Sequence, residues 1–175
     1  MTLWRYGQNA TKPKCHNAHS SRKIRYKLKV PPSQIEIKEG SIETVVELSL
    51  QIPEFKDPHG EVEYRRRLTN TPHLILVAYV NEQPAGFKVG YLKEDYFYSW
   101  MGAILPAYRR LQLATQLAKA QEGWAKQQGY PHVTFKTRNH LKPMLLFAIK
   151  RGFHILAIEE RKSIEEYRIL LRKFL

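Results

Sequence analysis

The chain has 175 residues, one cysteine (Cys15) and a formal net charge of +13 at pH 7. That length suits a single domain, with or without a tail, that buries its own core. A lone cysteine excludes an intrachain disulfide framework and points to a reducing, cytoplasmic setting, and the longest apolar run, residues 74–80, is far short of the ~20 residues of a membrane-spanning helix.

The charge is uneven. Residues 1–35 carry eight lysines or arginines and no acid, whereas residues 36–175 carry 21 basic and 16 acidic side chains. Residues 1–33 contain Pro13, Pro31 and Pro32 and show no apolar period, so they read as a basic, flexible extension. An organelle-targeting peptide is the alternative, although Lys outnumbers Arg here. Trp4, Tyr6 and Tyr26 suit stacking on bases, which confines any nucleic-acid contact to this tail. Cys15, His16 and His19 lack a fourth ligand at finger-like spacing, so no metal site is expected.

A domain over residues 34–175 opens with a short strand at 34–38. Ser41 is a helix N-cap, with Ile42, Val45, Val46, Ser49 and Ile52 at helical spacing and Pro53 as the stop. Residues 61–68 predict a polar helix resting on Val62 and Leu68, with Arg65, Arg66 and Arg67 as a solvated face. Residues 74–80, 85–92 and 96–105 are three strands joined by short turns, an antiparallel meander. A long amphipathic helix then carries Leu113, Leu117, Gln121 and Trp124 on one face and ends at Gly129. A strand at 132–137, a helix at 141–151 with Gly152 past its end, and strands at 153–158 and 166–172 complete the pattern. The class is α/β, with a mixed, mostly antiparallel sheet of six or seven strands flanked by helices and at least one parallel pair. The final strand, read as an exposed edge, is suited to pair with a second copy in a homodimer.

Chemistry concentrates in residues 101–115. A strand ends at Pro106, turns through Arg109 and Arg110, and opens the long helix, read over residues 110–128. A helix start presents free N–H groups and the positive end of its dipole, a natural phosphate site. Ala114 is small enough to let a ligand reach the backbone. An ordinary strand-to-helix turn with surface arginines fits the same residues.

Arg109-Arg110-Leu111-Gln112-Leu113-Ala114 resembles motif A of the GCN5-related N-acetyltransferase (GNAT) superfamily, Gln/Arg-x-x-Gly-x-Gly/Ala after a strand. Asn139 after a strand, then Met144 through Gly152-Phe153, resembles motif B. The order of elements agrees over residues 34–175. The resemblance implies a GNAT-like sheet with splayed fourth and fifth strands. It also implies an acetyl-CoA-dependent N-acetyltransferase that moves acetyl to a primary amine by direct attack through a tetrahedral intermediate, without metal. It places the pantetheine arm on the backbone of Ala103, Ile104 and Leu105. The pyrophosphate falls on the N–H groups of Arg110, Leu111, Gln112, Leu113, Ala114 and Thr115, with Arg109 alongside. Asn139 falls near the pantetheine–phosphate end, and an N–H near Leu105 stabilises the oxyanion.

Two residues depart from the pattern. Gln112 stands where the motif has glycine, and Phe147 stands where many members carry a tyrosine that protonates the leaving thiolate. A thiol of pKa about 8.5 is a fair leaving group without such help. Glu54, in a region that lines the acceptor cleft in this superfamily, is the first candidate base. Tyr98, on a strand face shared with Trp100, is a candidate proton relay. A loop carboxylate and a packing tyrosine are the plain readings of both. The second functional reading is a CoA-binding GNAT-like module without turnover.

Overall fold

The strand β2 (His73–Val80) is apolar along its length because it is covered on both faces. In the computed structural model, which describes residues 34–175, Leu74, Leu76, Ala78 and Val80 pack under helix α3 (Leu113–Gln127). Ile75 and Val77 pack under α1 (Ile42–Leu50) and α2 (Glu61–Leu68). The expectations placed on residues 1–33, including Trp4, Tyr6, Tyr26, Cys15, His16 and His19, lie outside the described residues.

Ser41 caps α1 as expected, its Oγ accepting from Thr44 N–H at 3.2 Å. Helix α2 has the predicted span but a different face. Tyr64 and Leu68, four residues apart, are fully buried, whereas Val62 is 83% exposed. Its arginines are not a plain solvated face either. Glu63 accepts from both Arg66 and Arg67, and the Arg67 guanidinium lies 4.7 Å from the Trp100 ring centroid.

β1 (Ile35–Glu39), β2, β3 (Gln83–Lys93) and β4 (Tyr96–Ile104) form the expected antiparallel meander. The β2–β3 turn has Asn81 and Glu82 both at positive φ, the geometry whose twist matches a hairpin. β4 then pairs in parallel with β5 (His132–Arg138), and the full order is β1-β2-β3-β4-β5-β7-β6. With α4 (Lys142–Lys150), four helices flank this seven-stranded mixed sheet. Phe135, Ala148, Ile169 and Leu171 form a separate core under α4.

The expected dimer edge is corrected here. β7 (Arg168–Phe174) pairs with β5 on one side and β6 (His154–Glu159) on the other, so its backbone is occupied along both edges. The edge at this end of the sheet is β6, where Ile155, Leu156 and Ile158 face solvent.

Two irregularities shape the centre. β4 and β5 pair only at Phe97↔Val133 and Tyr98↔Thr134 and then part. The register between β3 and β4 slips at Trp100, because Val89 faces Met101 while Gly90 faces Ser99. This bulge bends β4 as it leaves its neighbour.

Candidate active site

After β4 the chain makes a 3-10 turn (Pro106–Tyr108) and reaches α3, which starts at Leu113 rather than at Arg110. The intervening loop holds two non-glycine residues in the left-handed region, Arg110 (φ 69°) and Gln112 (φ 60°). Left-handed residues in such a turn can aim successive N–H groups to one side, a concavity that suits anions. Among the described residues, nothing accepts a hydrogen bond from the N–H groups of Arg110, Leu111, Gln112, Leu113, Ala114 or Thr115. The amides on either side are satisfied, Arg109 N by Pro106 O (3.3 Å) and Gln116 N by Gln112 O (3.1 Å). Six consecutive free donors, with the Arg110 charge and a helix N-terminus beside them, fit a diphosphate.

Gln112 occupies the glycine position of the motif in a glycine-like conformation, with its side chain exposed. A left-handed backbone costs a residue with a Cβ about 1–2 kcal/mol, partly offset by the greater unfolded-state entropy of glycine. Gln112→Gly is therefore expected to raise stability by about 1 kcal/mol, seen as a higher denaturation midpoint at unchanged denaturant slope. An unchanged or lower midpoint would show that the left-handed turn is unstrained.

Arg109 does not point into this row of donors. Its Nε donates to Ile104 O (3.2 Å) and its Nη2 to Glu54 Oε2 (2.8 Å). The guanidinium holds the Glu54 carboxyl below the usual carboxylate range, so Glu54 is a weakened base, tied to the end of β4. This exposed pair contributes at most about 1 kcal/mol to stability.

The strand amides sort by the alternation of an antiparallel ladder. Leu105 N–H donates to Ala85 O at 2.9 Å. With Ala103 opposite Phe87 in the same phase, the Ala103 and Leu105 amides turn toward β3. Those of Gly102 and Ile104 turn toward the gap between β4 and β5. The Leu105 amide is thus engaged, and the free donors along the gap belong to its neighbours, of which Gly102 was not singled out from sequence.

Side chains fall on two sides of the gap. Toward α1 and α2, Trp100 meets Tyr64 (4.8 Å between centroids), His59 (5.3 Å) and Tyr91 (5.9 Å), and Tyr91 meets Tyr98 (5.6 Å). Burial raises the Tyr98 phenol, so it keeps its proton and can relay but not abstract. Toward α3 and α4, a small cavity is lined by Lys88, Ser99, Gln121, Glu122, Phe147 and Arg151, among others. Asn139 lies past β5 with both ends of its amide engaged. Its Nδ2 donates to Ile164 O (2.9 Å), and its Oδ1 accepts from Lys142 Nζ (2.7 Å). Lys88 and Gln121 escaped the sequence reading because alternation along β3 marks Lys88 as a solvent position, and Gln121 falls on the apolar face of α3. Among the described residues, no three His, Cys, Asp or Glu side chains are grouped to hold a metal, and no helix is long and apolar enough to cross a membrane.

The chain belongs to the acetyltransferase (GNAT) family, whose sequence profile matches residues 42–153. Its fold is also that of solved acetyltransferases. The ribosomal-protein-S18-alanine N-acetyltransferase of Escherichia coli superposes with a TM-score of 0.71 at 14% identity, over 81% of this chain and 94% of that one. PaiA N-acetyltransferase of Thermoplasma acidophilum, solved with coenzyme A, gives 0.64 at 17%, over 81% and 99%. Arabidopsis thaliana Naa50, solved with the bisubstrate analogue CoA-Ac-MVNAL, gives 0.66 at 14%, over 79% and 97%. At these identities the likeness is one of fold. No curated protein matches the chain.

Proposed function

We propose that this protein is an acetyl-CoA-dependent N-acetyltransferase acting on a primary amine. The observation that carries the reading is the row of six free backbone N–H groups, residues 110–115, beside a β4 that has parted from β5. Acetyl-CoA supplies a thioester whose carbonyl carbon is open to attack. In this reading residues 110–115 bind the pyrophosphate and the Arg110 guanidinium adds charge. The Gly102 and Ile104 amides hold the arm, and whichever lies over the thioester carbonyl stabilises the oxyanion that develops there. Tyr98, Trp100 and Tyr91 form the acceptor side, where a phenol that keeps its proton can pass one from the amine to water. A peptide amine is the first acceptor to offer, because Naa50 was solved with a peptide-bearing analogue. The donor row supports coenzyme A binding both in this reading and in that of a CoA-binding module without turnover, and release of free thiol in the presence of an amine separates the two.

Thermal unfolding against acetyl-CoA concentration tests the proposal. Saturable binding to the native state is expected to add about 2.7 kcal/mol of stability at 100 times Kd. No shift at millimolar acetyl-CoA would sink it.

Residues 34–175 form the catalytic unit in this reading, and residues 1–33 are an appendage. Deleting residues 1–33 is expected to leave turnover within about twofold and to remove salt-sensitive binding to polyanions. Loss of turnover in the shortened chain would contradict that division.

A further inference from the structure

Lys88 lies in the middle of β3, opposite Gly102 of β4. Its neighbours Phe87 and Val89 enter the core under α1 and α2, so Lys88 projects to the other face, beneath the place where β4 leaves β5. There it lines a cavity with Ser99, Gln121, Glu122, Phe147 and Arg151. The cavity volume is about 10 Å³, room for one water-sized group. Gln121 on its wall is fully buried, and neither Oε1 nor Nε2 has a partner among the described residues.

The charges that line the cavity are paired elsewhere, although Glu122 still favours and Arg151 disfavours the charge on Lys88. Glu122, on α3, is taken by Arg151 after α4 (2.7 Å) and by Lys173 of β7 (2.8 Å). β4 and β5 contribute Ser99, Val133 and Phe135, none charged. Among the described residues the Lys88 ammonium has no ion pair. A half-buried cation without an ion pair, lining one cavity with an unpartnered amide, is unfavourable unless an anion arrives.

The geometry points to Lys88 as the group that receives the thiolate of coenzyme A as it leaves along the gap between β4 and β5. The inference rests on the acetyl-CoA reading above and names the acid for that reaction. When the carbon–sulfur bond breaks, its electron pair goes to sulfur and the Lys88 ammonium gives sulfur a proton. The amine left on Lys88 regains a proton from water at the mouth of the gap. The acceptor nitrogen forms the new carbon–nitrogen bond and loses its proton to water, so acetyl-CoA and amine become amide and thiol. Phe147, on the same cavity wall, carries no proton to give. Burial pushes the Lys88 amine down to about 8, near the range of a thiol, where transfer between the two is nearly balanced.

The test uses the full chain and coenzyme A, with the thiolate followed by its ultraviolet absorbance from neutral to alkaline pH. An ammonium beside sulfur favours the charged form. The bound thiol is expected to ionise about one unit below free coenzyme A in the same buffer, a tenfold change in the constant. Lys88→Met is expected to return it to the free value, and Lys88→Arg, which keeps the charge, to preserve the shift. An unshifted thiol in a wild-type chain that binds coenzyme A overturns the inference alone, as does a shift that persists in Lys88→Met. Failure of the wild-type chain to bind either acetyl-CoA or coenzyme A overturns it together with the acetyl-CoA reading.

Discussion

Replacing Arg110 with glutamate is expected to weaken acetyl-CoA binding about thirtyfold, the equivalent of about 2 kcal/mol. The residue sits at the first of six free amides, in the left-handed turn that aims them. Its charge is exposed, so each unit interaction with a phosphate at contact is worth about 1 kcal/mol or somewhat more. Reversal removes an attraction and installs a repulsion, which doubles the effect. Arg110→Gln should lose roughly half as much. The folded state itself should change little, because the side chain makes no hydrogen bond or ion pair among the described residues and surface substitutions of this kind stay within about 0.5 kcal/mol. The measurement is the acetyl-CoA dependence of the unfolding midpoint. An equal dependence in wild type and Arg110→Glu would place the phosphates elsewhere.

Glu122→Ala should be the most damaging stability variant. Glu122 and Arg151 side chains are each 12% exposed, and Glu122 also binds Lys173. One carboxylate thereby ties α3 to the end of α4 and to β7. Removing it strands two cations near a third, Lys88, whose charge Glu122 supports. Loss of one partner from such a buried set costs about 3 kcal/mol or more, which for a domain of this size lowers the melting temperature by about 10 °C. Glu122→Ala combined with Arg151→Met should recover part of that loss, since an apolar replacement leaves fewer charges unpaired. Chemical denaturation of the two variants decides it, and a single-variant loss under 1 kcal/mol would show that water already screens the pair.

Much of the fold was legible because local signals agreed. Ser41 before an apolar period, Gly129 and Gly152 past helix ends, and a polar turn between two apolar runs each mark a boundary by a mechanism that acts within a few residues. Both glycines have positive φ, as a helix stop of this kind requires. What escaped was non-local. Nothing in residues 166–172 states that the last strand enters between two earlier ones. Tyr64 buries against Trp100, a partner far along the chain, and so outcompetes Val62 for the core face of α2. The donor row was legible as a phosphate motif, but its left-handed turns were not, because arginine and glutamine do not announce positive φ as glycine does. Lys88 was hidden by its chemistry. A lysine in an alternating strand signals solvent, and only the covering of that face by α3 and α4 turns it inward.

The place of β7 in the sheet sets an order of events during synthesis. β7 is the last of the seven described strands to leave the ribosome, yet among the described residues it supplies the only lateral partner of β6 and one whole side of β5. β1 through β4 and their helices can close by contacts between neighbours in sequence, which is fast. The half of the sheet beyond the gap cannot close in that way. Until β7 emerges, β5 and β6 stand with open backbone edges, and the apolar Ile155, Leu156 and Ile158 of β6 are free to meet another nascent chain. The interval between making β6 and releasing β7 is therefore the moment at which this protein most needs a chaperone.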